Sequence, residues 1–129
     1  MRKQYHFRPS IKGYFAWDIN RLVELTKNFE RQRVSLDSIR ELDETFWFGD
    51  KNDKPTCRAI VEHMRLVEET NLSCPIILSS DGRVMDGMHR VAKALLEGRK
   101  TIEAVKFDED PKPDFKDVYP NDLSYEVST

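Results

Sequence analysis

Five consecutive residues, Asp86-Gly87-Met88-His89-Arg90, combine groups that hold and transfer phosphate: a carboxylate, a flexible glycine, an imidazole and a guanidinium fork. Arginine offers a planar pair of donors suited to phosphate, and histidine hydrogen-bonds phosphate or shuttles a proton. Gly87 lets a backbone approach its ligand closely, while Asp86 either caps a helix or holds a magnesium ion that arrives with a nucleotide. The competing reading makes Asp86 a cap, Gly87 a turn residue, and His89 and Arg90 ordinary surface groups. Upstream, the run R-E-L-D-E-T offers Glu41 and Glu44 either as general bases or as exposed acids on a helix end. His63 has no partner at i+4 and reads as a solvated or capping histidine rather than a metal ligand. Cys57 and Cys74, 17 residues apart with no C-x-x-C, support neither a disulfide framework nor a structural zinc, and both read as reduced.

The elements around these residues follow from hydrophobic period. Asp81-Gly82 predicts a two-residue type I′ hairpin turn joining strands at 75–79 and 83–85. After Gly87 the period changes from two to about 3.6: Met88, Val91, Ala92, Leu95 and Leu96 form a helical stripe ending at Gly98. A strand turning through Asp-Gly into a helix gathers free N–H groups and the positive end of a helix dipole at one point, which favours an anion. Asp18 predicts the cap of a first helix running to about Arg31. Val34 and Leu36 mark a short strand, and Asp37-Ser38 opens a helical turn with Ile39 and Leu42. Pro55 is expected just inside a second long helix whose apolar face is Cys57, Ile60, Val61, Met64 and Val67. The aromatic run Thr45–Gly49 reads as a core anchor, with a pocket wall as the alternative. Residues 101–107 alternate as a last strand. The order helix, strand, helix, hairpin, helix, strand predicts an α+β fold, with helices packed on a small mixed sheet.

Length and charge set the outer bounds. With 129 residues the chain has room for one core, and its formal charge of −2 excludes a chain-wide field for nucleic acid or anionic lipid. The charges are segregated, however. The first 13 residues hold Arg2, Lys3, Arg8 and Lys12 with no acid, and residues 108–129 sum to −5, leaving +3 for residues 1–107. The chain therefore divides into a basic N-terminal arm and helix (1–33), a core (34–107) and an acidic C-terminal arm (108–129). The two ends read as solvated, with mutual packing or a subunit contact as the alternative. The aromatic tail is expected to lie on the body, with at least two of Phe115, Tyr119, Leu123 and Tyr125 buried against the domain or a neighbouring subunit. No apolar run is long enough for a membrane span and no secretory signal opens the chain, so a cytoplasmic location is expected.

The stretch P-I-I-L-S-S-D-G-R-V-M-D-G-M-H-R-V-A-K-A-L-L-E-G resembles the ParB/sulfiredoxin superfamily. That superfamily shares a strand, a Gly-x-His-Arg or Gly-x-Arg-Arg turn and a helix that receives nucleotide phosphates. Gly87, His89 and Arg90 match this pattern, and V-S-L-D-S-I-R-E-L at 34–42 looks like its first strand and helix, so the resemblance spans residues 34–107. It implies nucleotide binding (ATP, ADP or CTP with magnesium) at Asp86, Gly87, Met88, His89 and Arg90, and no structural metal. Sulfiredoxins are similar but carry a nucleophilic cysteine where this chain has Met88, which excludes sulfinate repair. The superfamily's serine kinases are closer, with Asp-Gly-His-His-Arg against Asp86-Gly87-Met88-His89-Arg90 and an upstream glutamate base, for which Glu41 and Glu44 are the candidates. Partition proteins add a helix-turn-helix domain for which the residues after Phe107 do not suffice, so sequence-specific DNA binding is not expected, and nuclease activity is disfavoured. The implied function is a small nucleotide-dependent phosphotransferase or NTPase in which His89 also acts in catalysis. The alternative is a non-catalytic ligand- or protein-binding module using the same anion site. A homodimer or a protein partner is compatible with either.

Overall fold

Alternation along three short strands sorts the apolar residues onto two faces of one sheet. Ile76, Leu78, Val84, Ile102 and Ala104 point to one buried cluster, while Ile77, Met85 and Val105 point to another. A sheet buried on both faces needs a cover on each side, and the chain supplies two different ones. The computed structural model describes residues 3–49 and 53–125. Its elements are β1 (Tyr5–Pro9), β2 (Tyr14–Asp18), α1 (Ile19–Thr26), β3 (Gln32–Ser35), α2 (Cys57–Glu69), β4 (Ile76–Leu78), β5 (Val84–Asp86), α3 (Met88–Leu96), β6 (Thr101–Lys106) and β7 (Phe115–Val118). Short 3₁₀ turns occupy Leu36–Ser38, Arg40–Asp43, Phe46–Phe48 and Pro120–Asp122. The fold is α+β.

The central sheet has the order β3-β6-β4-β5, with β4 and β6 parallel and the other pairs antiparallel. Parallel strands need a long crossover, and here it contains β5 and α3. The helix lays Met88, Val91 and Ala94 onto the first face, where Leu36 and Ile39 complete the cluster. On the second face the cover is Trp17 and Leu22, with Phe15 and Ile19 beside them.

A second, three-stranded sheet, β1-β2-β7, joins the two ends of the chain. The Trp17 indole N–H donates to the Pro111 carbonyl at 2.9 Å, and the Asp18 amide donates to the Asp114 carboxylate at 2.7 Å. Arg21 meets Asp114 at 3.2 Å and Arg8 meets Asp110 at 3.5 Å, so basic N-terminal segment and acidic C-terminal segment answer each other. None of the four tail residues is buried against the domain. Phe115 and Tyr119 are exposed and Leu123 and Tyr125 half-buried, because the tail forms the edge of the small sheet and its turn rather than a core layer.

Three local expectations need correction. The hairpin loop is three residues long, not two: the Ser79 amide donates to the Arg83 carbonyl and the Gly82 amide to the Ser79 carbonyl, at 2.9 and 3.0 Å. Only Gly82 has positive φ (85°), as in a type I turn closed by a glycine bulge. Asp81 instead hydrogen-bonds the Ser79 hydroxyl, a local bond that holds the turn. Helix α1 stops at Thr26 rather than near Arg31, and the chain then turns so that the Phe29 ring meets Phe107 edge-on at 5.4 Å. Pro55 precedes α2 altogether, since Thr56 is its cap and accepts from the Ala59 amide at 3.1 Å. The apolar face of α2 is shared between core and solvent: Val67 is buried while Ile60, Val61 and Met64 are exposed, and Ile60, Met64 and Val67 line an open cavity.

Candidate functional site

The turn from β5 into α3 is built around Gly87, whose φ of 107° lies where side chains are strained. A Cβ there would lie 2.7 Å from Ile76 Cγ2 and 2.8 Å from Arg90 Nη2, so the close approach also demands glycine. Gly87 is the N-cap of α3 and no side chain caps this helix. The Met88, His89 and Arg90 amides therefore have no intrahelical acceptor, and the helix dipole adds positive potential at the same end. The capping role considered for Asp86 does not occur. Asp86 pairs with Arg90 at 3.0 Å, and the same guanidinium donates to the Pro75 carbonyl at 3.2 Å. Arg90 Nε is buried without a partner. Together with Gln4, Leu66, Glu69 and Thr70 these residues line a polar hollow of about 300 Å³.

His89 faces the neighbouring helix. Its Nε2 lies 2.9 Å from Nδ1 of His63 on α2, and the two ring planes are tilted 24° from each other. The Trp47 indole lies across both imidazoles, with ring centres 4.4 Å from His63 and 4.8 Å from His89 and planes within 16°. Phe48 closes the edge of His63 at 5.4 Å. Burial, with the nearby His63 and Arg90 in the same sense, lowers the His89 pKa to about 4 against the opposing pull of Asp86. Burial also lowers His63. The pair is thus neutral at pH 7, one ring donating and the other accepting. Among the described residues no group of three or more His, Cys, Asp or Glu is placed to hold a metal ion.

Beyond this stack lies an apolar cavity of about 680 Å³ between the 3₁₀ turns, α2 and α3. The aromatic run serves both readings given to it: Trp47 packs against the core and also walls the cavity, which Phe46 and Phe48 rim. Met88, 8% exposed, is the partition, lining both the hollow and the cavity.

The two candidate bases separate clearly. Glu44 is exposed and held by Arg83 through two bonds of 2.7 and 2.8 Å, which keep its carboxyl below the usual range. A carboxylate so paired is a weak base. Glu41, read as a possible exposed acid, is 2% exposed. Its Oε2 accepts from the Val84 amide at 2.6 Å and lies 3.6 Å from Arg83 Nε, while Oε1 is buried without a partner. It lines the cavity, on the far side of Met88 from the hollow.

His63 is the residue that sequence reasoning discarded. A signal existed: residues 60, 63 and 67 share a helical face as well as the stripe through 64, so His63 belongs to the side of α2 that turns inward. Cys57 and Cys74 are both exposed and unpaired. No helix among the described residues is long and apolar enough to cross a membrane. Comparison of the chain with protein-family models, with curated proteins and with solved structures finds no match in any of the three.

Proposed function

We propose that this protein binds a magnesium-bound nucleotide through its phosphates at the N-terminus of α3, as the ParB/sulfiredoxin resemblance implies. The observation that supports this most is the uncapped helix start at Gly87, with three free amides beside the unpartnered Nε of Arg90. The hollow also carries Asp86 and Glu69. Two carboxylates disfavour a bare anion, and this argues for a nucleotide accompanied by its cation, which Asp86 would help to hold. ATP, ADP and CTP are the candidates. Bound magnesium would neutralise phosphate charge and align the phosphoryl group for transfer.

As an enzyme the protein would be a small phosphotransferase or NTPase acting mainly by positioning and electrostatics. The amides of residues 88–90 and Arg90 would stabilise charge on the phosphates, and neutral His89 would donate or accept one hydrogen bond at the rim. Glu41 is the better base of the two carboxylates, because Arg83 already occupies Glu44. The occupied Glu44 and the deep burial of Glu41 also favour a second reading, a binding module that holds the nucleotide without chemistry. A nucleotide-dependent role of either kind fits a cytoplasmic protein.

A thermal-shift screen with ATP, ADP, CTP and GTP, with and without magnesium, tests the proposal. Ligand at 100 times its Kd adds about 2.7 kcal/mol, so a magnesium-dependent rise in Tm with at least one nucleotide is expected. No shift at millimolar nucleotide overturns it. His89→Ala then separates the two readings: in an enzyme it slows turnover more than it weakens binding, whereas a module shows only a change in affinity.

A further inference from the structure

The cavity between the 3₁₀ turns, α2 and α3 is too large to be a packing fault. Protein interiors leave few voids beyond the size of a water, whereas ligand sites span roughly 300–1,000 Å³, and this one holds about 680 Å³. Its walls are apolar, with Trp47, Phe46 and Phe48 on one side and Val67, Met88 and Ala92 on the other. Its charged lining residues among those described are Glu41, Glu44 and Glu68, with no lysine or arginine among them. Arg83, adjacent but outside the lining, is shared between Glu41 and Glu44 and compensates one of these charges. An acidic lining would be a poor basis by itself. The independent observation is Glu41, 2% exposed, whose Oε1 is buried without any partner. A carboxylate oxygen left so costs free energy that a donor would recover. The aromatic residues that line the same cavity attract a cation as well.

We propose that this cavity binds a small apolar molecule bearing a cationic amine, with its body among Trp47, Phe46 and Met88 and its ammonium group donating to Glu41. This site is distinct from the phosphate hollow across Met88, and the inference does not rest on nucleotide binding. Burial keeps His63, the imidazole lining the cavity, uncharged at neutral pH, so it adds no competing cation.

The test is calorimetric titration of the full chain, without nucleotide, using 4-phenylbutylamine, 4-phenylbutanol and 4-phenylbutyrate at pH 7.5. The amine is expected to bind about tenfold or more tightly than the carboxylate, with the alcohol between them. Glu41→Gln keeps an oxygen for the Val84 amide and should bring amine and alcohol to within about twofold. Met64→Lys, at a rim position 57% exposed and therefore tolerant, should weaken the amine and strengthen the carboxylate. If Glu41→Gln fails to fold, the Met64 variant still decides. Equal binding of amine and carboxylate to the unaltered protein overturns the proposal, as does an unchanged preference in the folded variants. No binding of any probe overturns it too, and a concentration-dependent dimer in sedimentation would then give the cavity to a second copy of the chain.

Discussion

The two spaces divided by Met88 are opposites in how their polar groups are satisfied. In the hollow, Arg90 is fastened to Asp86 and Pro75, and backbone amides are left over for a ligand. In the cavity the backbone is withdrawn behind aromatic side chains, and one buried carboxylate oxygen is left over. The first has spare donors, the second a spare acceptor, so they suit ligands of opposite charge. The difference arises from local geometry: a left-handed glycine exposes main chain at the start of α3, whereas 3₁₀ turns rich in aromatics cover it at 46–48.

Substitutions should separate the two sides. The largest effect is expected from Gly87→Ala, which meets both an unfavourable φ and a clash with Ile76. A loss of about 3 kcal/mol or more in urea unfolding is predicted, and a near-neutral result would mean that the turn can relax. Arg90→Ala follows, at about 1.5–3 kcal/mol, because Asp86 and the Pro75 carbonyl lose a charged partner together. Its effect on nucleotide affinity should be read only at temperatures where the variant is folded. On the cavity side, Trp47→Ala removes the plate over both imidazoles and should cost about 2–3 kcal/mol, less than a full core truncation because the indole is only half-buried.

Acidification sharpens the contrast. His89 and His6 both have folded pKa values near 4, burial being the main cause in each, against an ordinary value near 6.5. The unfolded chain binds the proton first, so stability present above pH 6.5 is lost as pH falls from about 6.5 toward 4. Each group contributes at most about 1.4 kcal/mol per pH unit within that window. His6 accepts from Arg8 Nε in β1, far from α3 in sequence, so His89→Gln should flatten the slope without abolishing it. A slope unchanged in His89→Gln would show that the stacked pair carries no titration.

The smallest change is expected from Glu44→Gln. This glutamate sits in the open on Arg83, and exposed ion pairs contribute little, so thermal unfolding should barely move. Loss of activity in this variant, with stability intact, would reverse the preference for Glu41 as base.

Much of this was legible in the sequence where the physics is local. The hairpin and the start of α3 followed from Asp81-Gly82 and from the change of apolar period after Gly87, both set by neighbouring residues. The small sheet was not legible: β2 and β7 pair residues about 100 positions apart, and nothing in Tyr14–Asp18 or Phe115–Val118 names the other. The stripe on α2 was legible as a shared face but what lies against it was not, since periodicity reports which side is apolar and not whether anything covers it. Glu41 looked like one acid among several in R-E-L-D-E-T. Only the fold places its carboxylate under the Val84 amide and out of water.

The central claim is that phosphate is held by the main chain at the start of α3, and amide chemical shifts report on that directly. In a titration of ¹⁵N-labelled protein with magnesium-ATP, the amides of Gly87, Met88, His89 and Arg90 should move most, and should move less when magnesium is withheld. Shifts confined to the cavity around Trp47, or none at millimolar nucleotide, would contradict the account.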